Sequence, residues 1–448
     1  MTTECAAGTA PGAIPLLGHT LPLLRNPLRF LTSLPARGDL VRIRIGPVEA
    51  IVVCAPELIR QVLLNDRVFD KGGPFFDRGR EVAGDGLINC PHSLHRRQRR
   101  LAQPAFHSTR LPGYAQVMTK HIAEVTGSWQ DGQVLDVLPE MMTLTARIAV
   151  ETMFSDALPA ALLGTVLDDF NTVLAGIYKR VLMPPSLVKL LIFGNHRYDR
   201  ARLRLRGIIG RVITDRRVSG ADRGDLLSTL LSARDPADNK GLSDIEIVDQ
   251  VITFFMAGSE TTASTLAWAV HLLARHPDVE HWLHAEVDAV LAGAPASFED
   301  LPKLELTGRV VTETLRMYPP GWMFTRTTTT DTRLGGHPIP AGSILVYSPY
   351  LLHHRPDLYP DPDRFDPDRW TDGHTAQPPR EALIPFGGGA RKCIGDTFAV
   401  AEATLALATL ATRWYLRLRP GRHIHPARFI VLRPRGLRMR ATARNVSQ

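Results

Sequence analysis

One cysteine of the chain stands between a glycine run and an amphipathic segment. In the stretch FGGGARKCIG (386–395), Cys393 follows three glycines and two cations. The apolar pattern after it predicts a long amphipathic helix, which places the sulfur at the helix N-terminus. There the helix dipole and the unpaired amide groups favour a thiolate. We therefore ask which metal or cofactor such a thiolate could bind.

The other cysteines limit the kind of centre that this thiolate can form. Cys5, Cys54 and Cys90 are scattered along the chain, and no cysteine or histidine lies at chelating spacing from Cys393. This scatter excludes a disulfide framework and a zinc site of the CxxC type, and it fits a reducing compartment. A lone soft thiolate suits a ring cofactor that supplies its own four donors, as haem does.

An acid and an alcohol adjoin in a second segment, VDQVITFFMAGSETTASTLAW (248–268), which has helical periodicity. The helix-weak pair Ala257 and Gly258 predicts a local break in the hydrogen-bond ladder, where a side chain or water enters. Thr261 would then bond a backbone carbonyl, and Glu260 is an acid that could relay protons. Taken alone, a Ser/Thr-rich helix with one glutamate is more often structural.

The cysteine loop resembles that of the cytochrome P450 family. Five of its positions match the family pattern FxxGxRxCxG: Phe386, Gly389, Arg391, Cys393 and Gly395. The resemblance implies that the cysteine is the proximal haem ligand, that the arginine binds a haem propionate and that the phenylalanine shields the sulfur. The AGSET segment (257–261) is similar to the distal-helix motif of the family, which implies that Ala257 and Gly258 lie against the haem.

Three further cations resemble the propionate-binding positions of the family. His95 and Arg99 lie one helical turn apart, although many members have tryptophan in place of this histidine, and Arg326 follows in FTRTT. Because two propionates carry two negative charges, several converging cations make electrostatic sense. Four other cations lie in the same segments: Arg96, Arg97, Arg100 and Lys392. We expect these four to form a basic face for an acidic electron-transfer partner.

A third motif of the family, ExxR, is present as Glu313 and Arg316, with Arg369 following in FDPDRW. In the family these three residues form a buried network beneath the cysteine loop, and a guanidinium can be held there by two hydrogen bonds. The resemblance implies a structural rather than a catalytic role. The alternative for such a pair is an ion pair on the surface, which contributes little to stability.

By the same resemblance, apolar and aromatic residues are the candidates for the substrate pocket: Phe75, Phe76, Phe254, Phe255, Trp322, Met323, Phe324 and the stretch 429–432. They carry hardly a charge, which indicates a small hydrocarbon-like ligand, although aromatic clusters are often plain core. Within the family the sequence resembles the actinobacterial sesquiterpene oxidases. This implies a pentalenene-type substrate, oxidised at one methyl group to alcohol and aldehyde in terpenoid antibiotic biosynthesis. A fatty acid or a polyketide is the alternative substrate.

The resemblance implies a monooxygenase that contains haem b and inserts oxygen from O2 into an unactivated C–H bond. No flavin or nicotinamide module is recognisable, so electrons are expected from NAD(P)H through a ferredoxin and a ferredoxin reductase. Two other classes stay open: a peroxide-driven haem-thiolate enzyme, which tends to lack the acid–alcohol pair, and a non-catalytic haem-binding or sensor protein.

Composition and patterning predict a soluble chain of mainly helical structure with a minor β sheet. The chain has 448 residues, 44% of them hydrophobic, and a net charge of +8 without a nucleic-acid-binding motif. No apolar run would span a membrane, and we expect a cytoplasmic monomer. The haem motifs must surround one cofactor, so we expect a single domain over residues 1–448 with an extended lead-in over 1–35.

The coarse pattern along the chain also predicts its elements. Residues 37–57 read as a hairpin, and helices dominate from 57 to 290 except for a loop at 71–86. Residues 325–350 return to β character. Residues 354–370 are a proline-rich meander that cannot form a continuous helix.

Overall fold

The computed structural model describes residues 8–155, 160–182, 192–371, 373, 378–418, 421, 423–428 and 431–444. Its contacts separate the chain into two compact units. We call the first the sheet unit; it contains Met1–Gly73, Thr312–Cys393 and Pro426–Arg433. The helical unit contains Pro74–Val311, Ile394–His425 and Pro434–Gln448. Each unit combines segments that are distant in sequence, and the single domain stays a prediction.

The helices of the described residues are, in chain order, α1 Thr20–Arg25, α2 Pro27–Thr32, α3 Pro56–Leu64, α4 Pro74–Ala83, α5 His92–Ala102, α6 Leu111–Gly127, α7 Val137–Phe154, α8 Ala160–Leu182, α9 Ile192–Ser219, α10 Leu226–Ser232, α11 Asp244–Leu273, α12 Pro277–Leu291, α13 Glu305–Met317, α14 Pro349–His353 and α15 Asp396–Arg413. The strands are β1 Gly8–Thr9, β2 Leu40–Ile45, β3 Val48–Val53, β4 Phe69–Asp70, β5 Val134–Asp136, β6 Phe324–Thr328, β7 Thr332–Leu334, β8 His337–Ile339, β9 Ile344–Tyr347, β10 Trp414–Leu418, β11 Pro426–Arg428, β12 Leu432–Pro434 and β13 Arg438–Ala443. The mainly helical class with minor sheets is thus confirmed.

The sheet unit is organised by a six-stranded sheet of order β1-β2-β3-β9-β6-β4. The predicted hairpin is confirmed: β2 and β3 are antiparallel, with Leu40 opposite Val53. Gly46 turns the chain between them at a φ of 57°, a conformation that favours glycine. The antiparallel neighbours β6 and β9 confirm the β character predicted after residue 325. Two apolar clusters, one containing Val53 and the other Val52, bury alternate residues of β3.

The helical unit is built around α11, which is buried along most of its length. It packs most extensively against α7 and also contacts α15 and α9. A capping box begins the helix, because the Ser243 hydroxyl accepts from the Glu246 amide while the Glu246 carboxylate accepts from the Ser243 amide. A helix that is apolar on nearly all sides needs such surroundings. The long helices predicted before residue 290 and after Cys393 are confirmed.

Two local predictions are wrong. The loop expected at 71–86 contains the helix α4, which begins at Pro74. The glycines on both sides suggested a loop, but proline is favourable in the first turn of a helix. The lead-in contains α1 and α2 rather than only extended chain, and the Asn26 side chain caps α2 by accepting from the Arg29 amide.

The meander over 354–370 contains no α-helix beyond one 3₁₀ turn at Pro367–Trp370. Prolines at 356, 360, 362 and 367 account for this, because each removes a backbone donor. No helix among the residues that the structure describes is long and apolar enough to cross a membrane.

Candidate active site

The cysteine loop is a tight turn that only glycine permits at two positions. Gly387 and Gly389 have φ angles of 69° and 64°. A Cβ atom on Gly389 would collide with the carbonyl oxygen of Leu63 at the end of α3. The Cys393 amide closes the loop by donating to the carbonyl oxygen of Phe386 at 2.9 Å. The Cys393 residue is exposed, two residues before α15 begins at its N-cap Gly395.

The loop suits a haem group, to which the protein would supply one thiolate. Of the cysteines in the described residues, Cys54 and Cys90 are buried and Cys393 is exposed. Burial raises the pKa of the Cys54 thiol to about 12, so this residue stays protonated. The described part of the chain contains no cluster of three histidine, cysteine or acidic side chains that could hold a metal ion. A single exposed thiol at a helix N-terminus is therefore suited to a cofactor that brings its other donors.

Arg391 is held within the sheet unit by two carboxylates. Its Nε donates to Oδ2 of Asp66 at 3.1 Å, and its Nη2 donates to Oδ1 of Asp70 at 2.7 Å. The Arg391 side chain is only 1% exposed. The predicted contact of this arginine with a haem propionate stays a prediction.

Arg326 is buried on β6 of the sheet unit. Its Nη2 donates to the Tyr347 hydroxyl at 3.1 Å, and its guanidinium lies 5.2 Å from the centre of the Tyr347 ring. Burial raises the pKa of Tyr347 against the opposing effect of Arg326, so the phenol stays neutral. The β ladder and the aromatic ring fix the position of this guanidinium.

In the helical unit, the two predicted propionate-binding residues of α5 differ in burial. His95 is buried and Arg99 is half-buried, whereas Arg96 is exposed. The one-turn spacing places His95 and Arg99 on the same side of the helix. Their contact with propionates stays a prediction.

The basic face expected on α5 is partly compensated inside the fold. Arg97 donates from Nη1 to Glu246 at 2.7 Å and from Nη2 to the carbonyl oxygen of Gly241 at 2.6 Å. Arg100 donates from Nη2 to both carboxylate oxygens of Asp235, at 2.7 and 2.8 Å. Arg97 therefore ties α5 to the start of α11, and Arg100 ties it to the segment between α10 and α11. The expectation that they help to form a basic face for a redox partner stays a prediction.

The acid–alcohol pair lies in the middle of α11. The Thr261 hydroxyl donates to the carbonyl oxygen of Ala257 at 2.6 Å, which is the backbone bond that the motif predicts. The helix is nevertheless continuous, so the expected break is absent. Glu260 is buried, whereas Ala257, Gly258 and Thr261 form a half-buried stripe.

A side chain of α7 does approach the α11 backbone near this stripe. The Thr145 hydroxyl lies 2.8 Å from the carbonyl oxygen of Ser259, and it also lies 3.0 Å from the carbonyl oxygen of Met141 in its own helix. A hydroxyl has one proton to donate, so these carbonyl oxygens share it. The contact joins α7 to α11 next to the acid–alcohol pair.

Sequence reasoning missed one acid of the helical unit, Glu402 on α15. It is 2% exposed, and burial raises its pKa to about 8 against the opposing effect of the Thr262 hydroxyl. The protonated carboxyl is thus the main form of Glu402 at neutral pH. Its partner Thr262 follows Thr261 directly in the sequence. The available signal was a lone carboxylate in the otherwise uncharged stretch 397–412 of this helix.

The ExxR residues form the buried network that the resemblance implies. Arg316 donates from Nε and Nη2 to the two carboxylate oxygens of Glu313, at 2.9 and 2.7 Å, and both side chains have no exposed surface. The Arg369 Nε lies 3.6 Å from the same carboxylate, and the Trp370 Nε1 donates to it at 2.9 Å. The alternative of a surface pair is thereby excluded.

His353 connects this network to the cysteine loop. Its Nε2 accepts from the Ile384 amide at 3.0 Å, so its Nδ1 carries the proton that faces the carbonyl oxygen of Arg316 at 3.1 Å. Burial lowers the pKa of His353 well below its ordinary value, which keeps the ring neutral in this bridging role. Ile384 precedes Phe386 by two residues, so the network reaches the start of the loop.

The candidate pocket residues of the helical unit have different surroundings. Phe254 packs edge-to-face with Phe106, with ring centres 5.0 Å apart. Phe255 is stacked on Phe170 with ring centres 3.5 Å apart. Phe76 is buried, and the Phe75 side chain lies outside the described part of the chain.

The candidate pocket residues of the sheet unit also differ from one another. Trp322 belongs to an apolar core cluster and Phe324 stacks on Tyr347, whereas Met323 is exposed. Phe429 and Ile430 lie outside the described residues. All these pocket assignments stay predictions.

Comparison with known proteins decides the family. Residues 9–439 match the cytochrome P450 family. The chain belongs to the cytochrome P450 family. It is 52% identical to cyclooctat-9-en-7-ol 5-monooxygenase of Streptomyces melanosporofaciens, over 92% of this chain and 90% of that protein. It is 48% identical to pentalenene oxygenase of Streptomyces avermitilis, over 99% of this chain and 98% of that protein.

The fold agrees with a solved structure of the same family. The crystal structure of the cytochrome P450DA heme domain superposes with a TM-score of 0.88 at 28% identity, covering 98% of both chains. This cytochrome P450 is therefore a monooxygenase, and the family implies haem, O2 and an external supply of electrons. The exposed Cys393 thiol and the cysteine loop described above fit that haem.

Proposed function

We propose that this cytochrome P450 hydroxylates a terpenoid substrate, of the size and polarity of pentalenene or cyclooctat-9-en-7-ol. The observation that carries the proposal is the near-complete alignment, at 48 and 52% identity, with two oxygenases named for these molecules. One name describes a hydrocarbon and the other an alcohol. The proposed class therefore includes the pentalenene-type substrate inferred from sequence, with its successive oxidation to alcohol and aldehyde, and extends to oxygenated terpenoids.

The apolar surface of α11 supports a hydrocarbon-like ligand. Phe254, Ala257 and Gly258 lie three to four residues apart and so share a face with Thr261. The edge-to-face contact with Phe106 fixes the Phe254 ring. Such a face orients a substrate by shape rather than by charge, because it offers almost no polar group apart from the Thr261 hydroxyl.

Each chemical step assigned to the chain has a residue to perform it. When bound, haem supplies the activation of O2 by reduction, and Cys393 would hold its iron by the thiolate. Thr261 would hold a proton at Oγ1, which requires its hydroxyl to turn away from the Ala257 carbonyl oxygen that it now contacts at 2.6 Å. Glu260 would replace that proton, acting as a relay from the interior of α11.

We propose that electrons come from NAD(P)H through a ferredoxin reductase and a ferredoxin. We also propose that the protein is a cytoplasmic monomer. Arg96 is exposed on α5, whereas Arg97 and Arg100 bind acidic residues. We expect Arg96→Glu to slow reduction by the ferredoxin at low salt. Unchanged reduction kinetics would remove α5 from the docking surface.

The substrate proposal is tested by the spin-state shift of the haem Soret band. Pentalenene and cyclooctat-9-en-7-ol are titrated into the ferric protein, with a fatty acid and a macrolide in parallel, and products are identified by mass spectrometry. We expect a shift and hydroxylated product with a terpenoid only. A larger shift with the fatty acid or the macrolide would favour the alternative substrate class, and no shift or turnover with either terpenoid would refute the proposal.

A pair of variants locates the binding surface. Phe254→Leu should weaken terpenoid binding by about tenfold, which corresponds to roughly 1.4 kcal/mol of lost aromatic contact. Phe255→Leu is the matched control, because its ring is stacked on Phe170. Equal effects of the two variants on affinity would remove Phe254 from the proposed binding face.

The same titrations separate the other two classes of function. Turnover with peroxide but never with ferredoxin and reductase would indicate a peroxide-driven enzyme. Terpenoid binding without turnover under either condition would indicate a binding or sensor protein. The Glu260–Thr261 pair argues against both classes, because neither a peroxide-driven enzyme nor a binding protein needs a pair that delivers protons during O2 activation.

A further inference from the structure

We propose that Asp66 and Asp70 are positioning residues for the haem-binding cysteine loop, which fix the Arg391 guanidinium and set the local charge beside the Cys393 thiolate. This inference rests on haem binding by the family. It is independent of the terpenoid substrate, so either proposal can fail without the other.

The geometry assigns the two carboxylates to different edges of one guanidinium. Asp66 accepts from Nε at 3.1 Å and Asp70 accepts from Nη2 at 2.7 Å. Arg391 is 1% exposed, and the Asp66 and Asp70 side chains are 12 and 15% exposed. A planar guanidinium held from two directions cannot rotate about its long side chain without breaking a charged hydrogen bond.

The Asp70 carboxylate is itself anchored, and Asp66 closely follows a helix. The Lys71 amide donates to Oδ1 of Asp70 at 2.7 Å, and the Asp70 backbone pairs with Thr327 in the sheet. Asp66 lies two residues beyond the end of α3. The pair is therefore attached to regular structure on both sides and acts as a fixed support rather than as two mobile surface acids.

The same segment contacts the loop at a second point. The carbonyl oxygen of Leu63 lies so close to Gly389 that no side chain fits there. Residues of the segment 63–70 thus contact both ends of the 3₁₀ turn Gly389–Arg391. This turn is followed by Lys392 and then Cys393. Movement of Arg391 would be transmitted to the cysteine through a single intervening residue.

Both carboxylates place negative charge in a largely buried part of the sheet unit, since their side chains are only 12 and 15% exposed. Negative charge near a redox centre opposes the addition of an electron, and the effect is strong where water is scarce. Removing one carboxylate charge should therefore make reduction easier, whereas removal of a purely structural contact would alter only stability.

The test measures the midpoint potential and the haem dissociation rate of the substrate-free holoenzyme. The variants are Asp66→Asn, Asp70→Asn and the double variant, which keep an oxygen acceptor but remove charge. Asp70→Glu restores charge. The matched control is Asp225→Asn in the helical unit, because Asp225 binds Arg216 at 2.9 Å and both side chains are buried.

We expect each single Asn variant to raise the midpoint potential, with about a tenfold change in the reduced-to-oxidised ratio at fixed potential, or about 59 mV for one electron. Haem should dissociate several times faster from the double variant, and Asp70→Glu should lie close to the native protein. A potential that moves no more than in Asp225→Asn would overturn the proposal. If the double variant does not fold, the single variants decide.

Discussion

The buried carboxyl of Glu402 makes a prediction about stability whose sign follows from its titration. Burial raises its pKa from the ordinary 4.5 to about 8. Between these values the unfolded chain has released the proton and the folded protein has kept it. The folded state therefore loses stability as the pH rises through this window, and the loss stops above the folded pKa. Glu402→Gln carries no titrating proton and should remove this slope.

The magnitude follows from the width of the window. Each unit of pKa difference corresponds to about 1.4 kcal/mol. From about pH 5 to about pH 8 the Glu402 contribution should fall by roughly 3.5 kcal/mol, since the titration is incomplete at both ends. That is a large part of a typical unfolding free energy of about 5–15 kcal/mol. The native protein should thus lose this amount relative to Glu402→Gln over the same interval.

The assay is equilibrium urea unfolding of the haem-loaded protein, followed by circular dichroism at several pH values. Glu280→Gln serves as the control. Burial acts to raise the pKa of Glu280, but the nearby His284 and the hydrogen bond from Arg417 outweigh it and hold the pKa below its ordinary value. Its contribution is complete above the unfolded pKa, so this control should differ from native by a constant amount. Parallel pH curves for native and Glu402→Gln would refute the reasoning about Glu402.

Three other predictions concern the candidate site. Cys393→Ser should abolish the thiolate-type Soret band of the reduced carbon monoxide complex, and Cys54→Ser should keep it, because Cys54 is buried and protonated. Glu313→Gln should lower the free energy of unfolding by about 3–5 kcal/mol, since it leaves buried guanidinium charge unbalanced. Trp370→Phe removes one hydrogen bond to Glu313 and should lower the free energy of unfolding by about 1 kcal/mol. Similar losses for the two variants in urea unfolding would contradict a charged network. Thr261→Ala should lower product formed per NAD(P)H by about tenfold or more while the Soret shift with substrate is kept. Unchanged coupling would exclude Thr261 from proton delivery.

Several features of the site could be read from short segments. The Cys393 loop requires glycine where the backbone has positive φ, so its motif is visible without the rest of the chain. Glu313 and Arg316 pair across one helical turn, a distance that their spacing specifies. The bond from Thr261 to Ala257 is local for the same reason.

Other features depend on residues that are far apart in sequence. Asp66 and Arg391 are separated by 325 positions, and no local pattern indicates that they meet. The ion pairs of Arg97 and Arg100 likewise join α5 to residues about 140 positions away, so no local pattern indicates that these cations are paired. The α4 helix was not predicted, because the turn signals of the flanking glycines outweighed the favourable proline at its start.

The sequence by itself determined the family, the haem-thiolate chemistry and the mainly helical class, because these depend on residue types at fixed short spacings. Only the tertiary structure decided which carboxylates hold Arg391, which cations are already compensated and that Glu402 is buried. The physical reason is that charge balance and desolvation depend on every group packed around a side chain. Those neighbours come from distant segments, and only the folded chain brings them together.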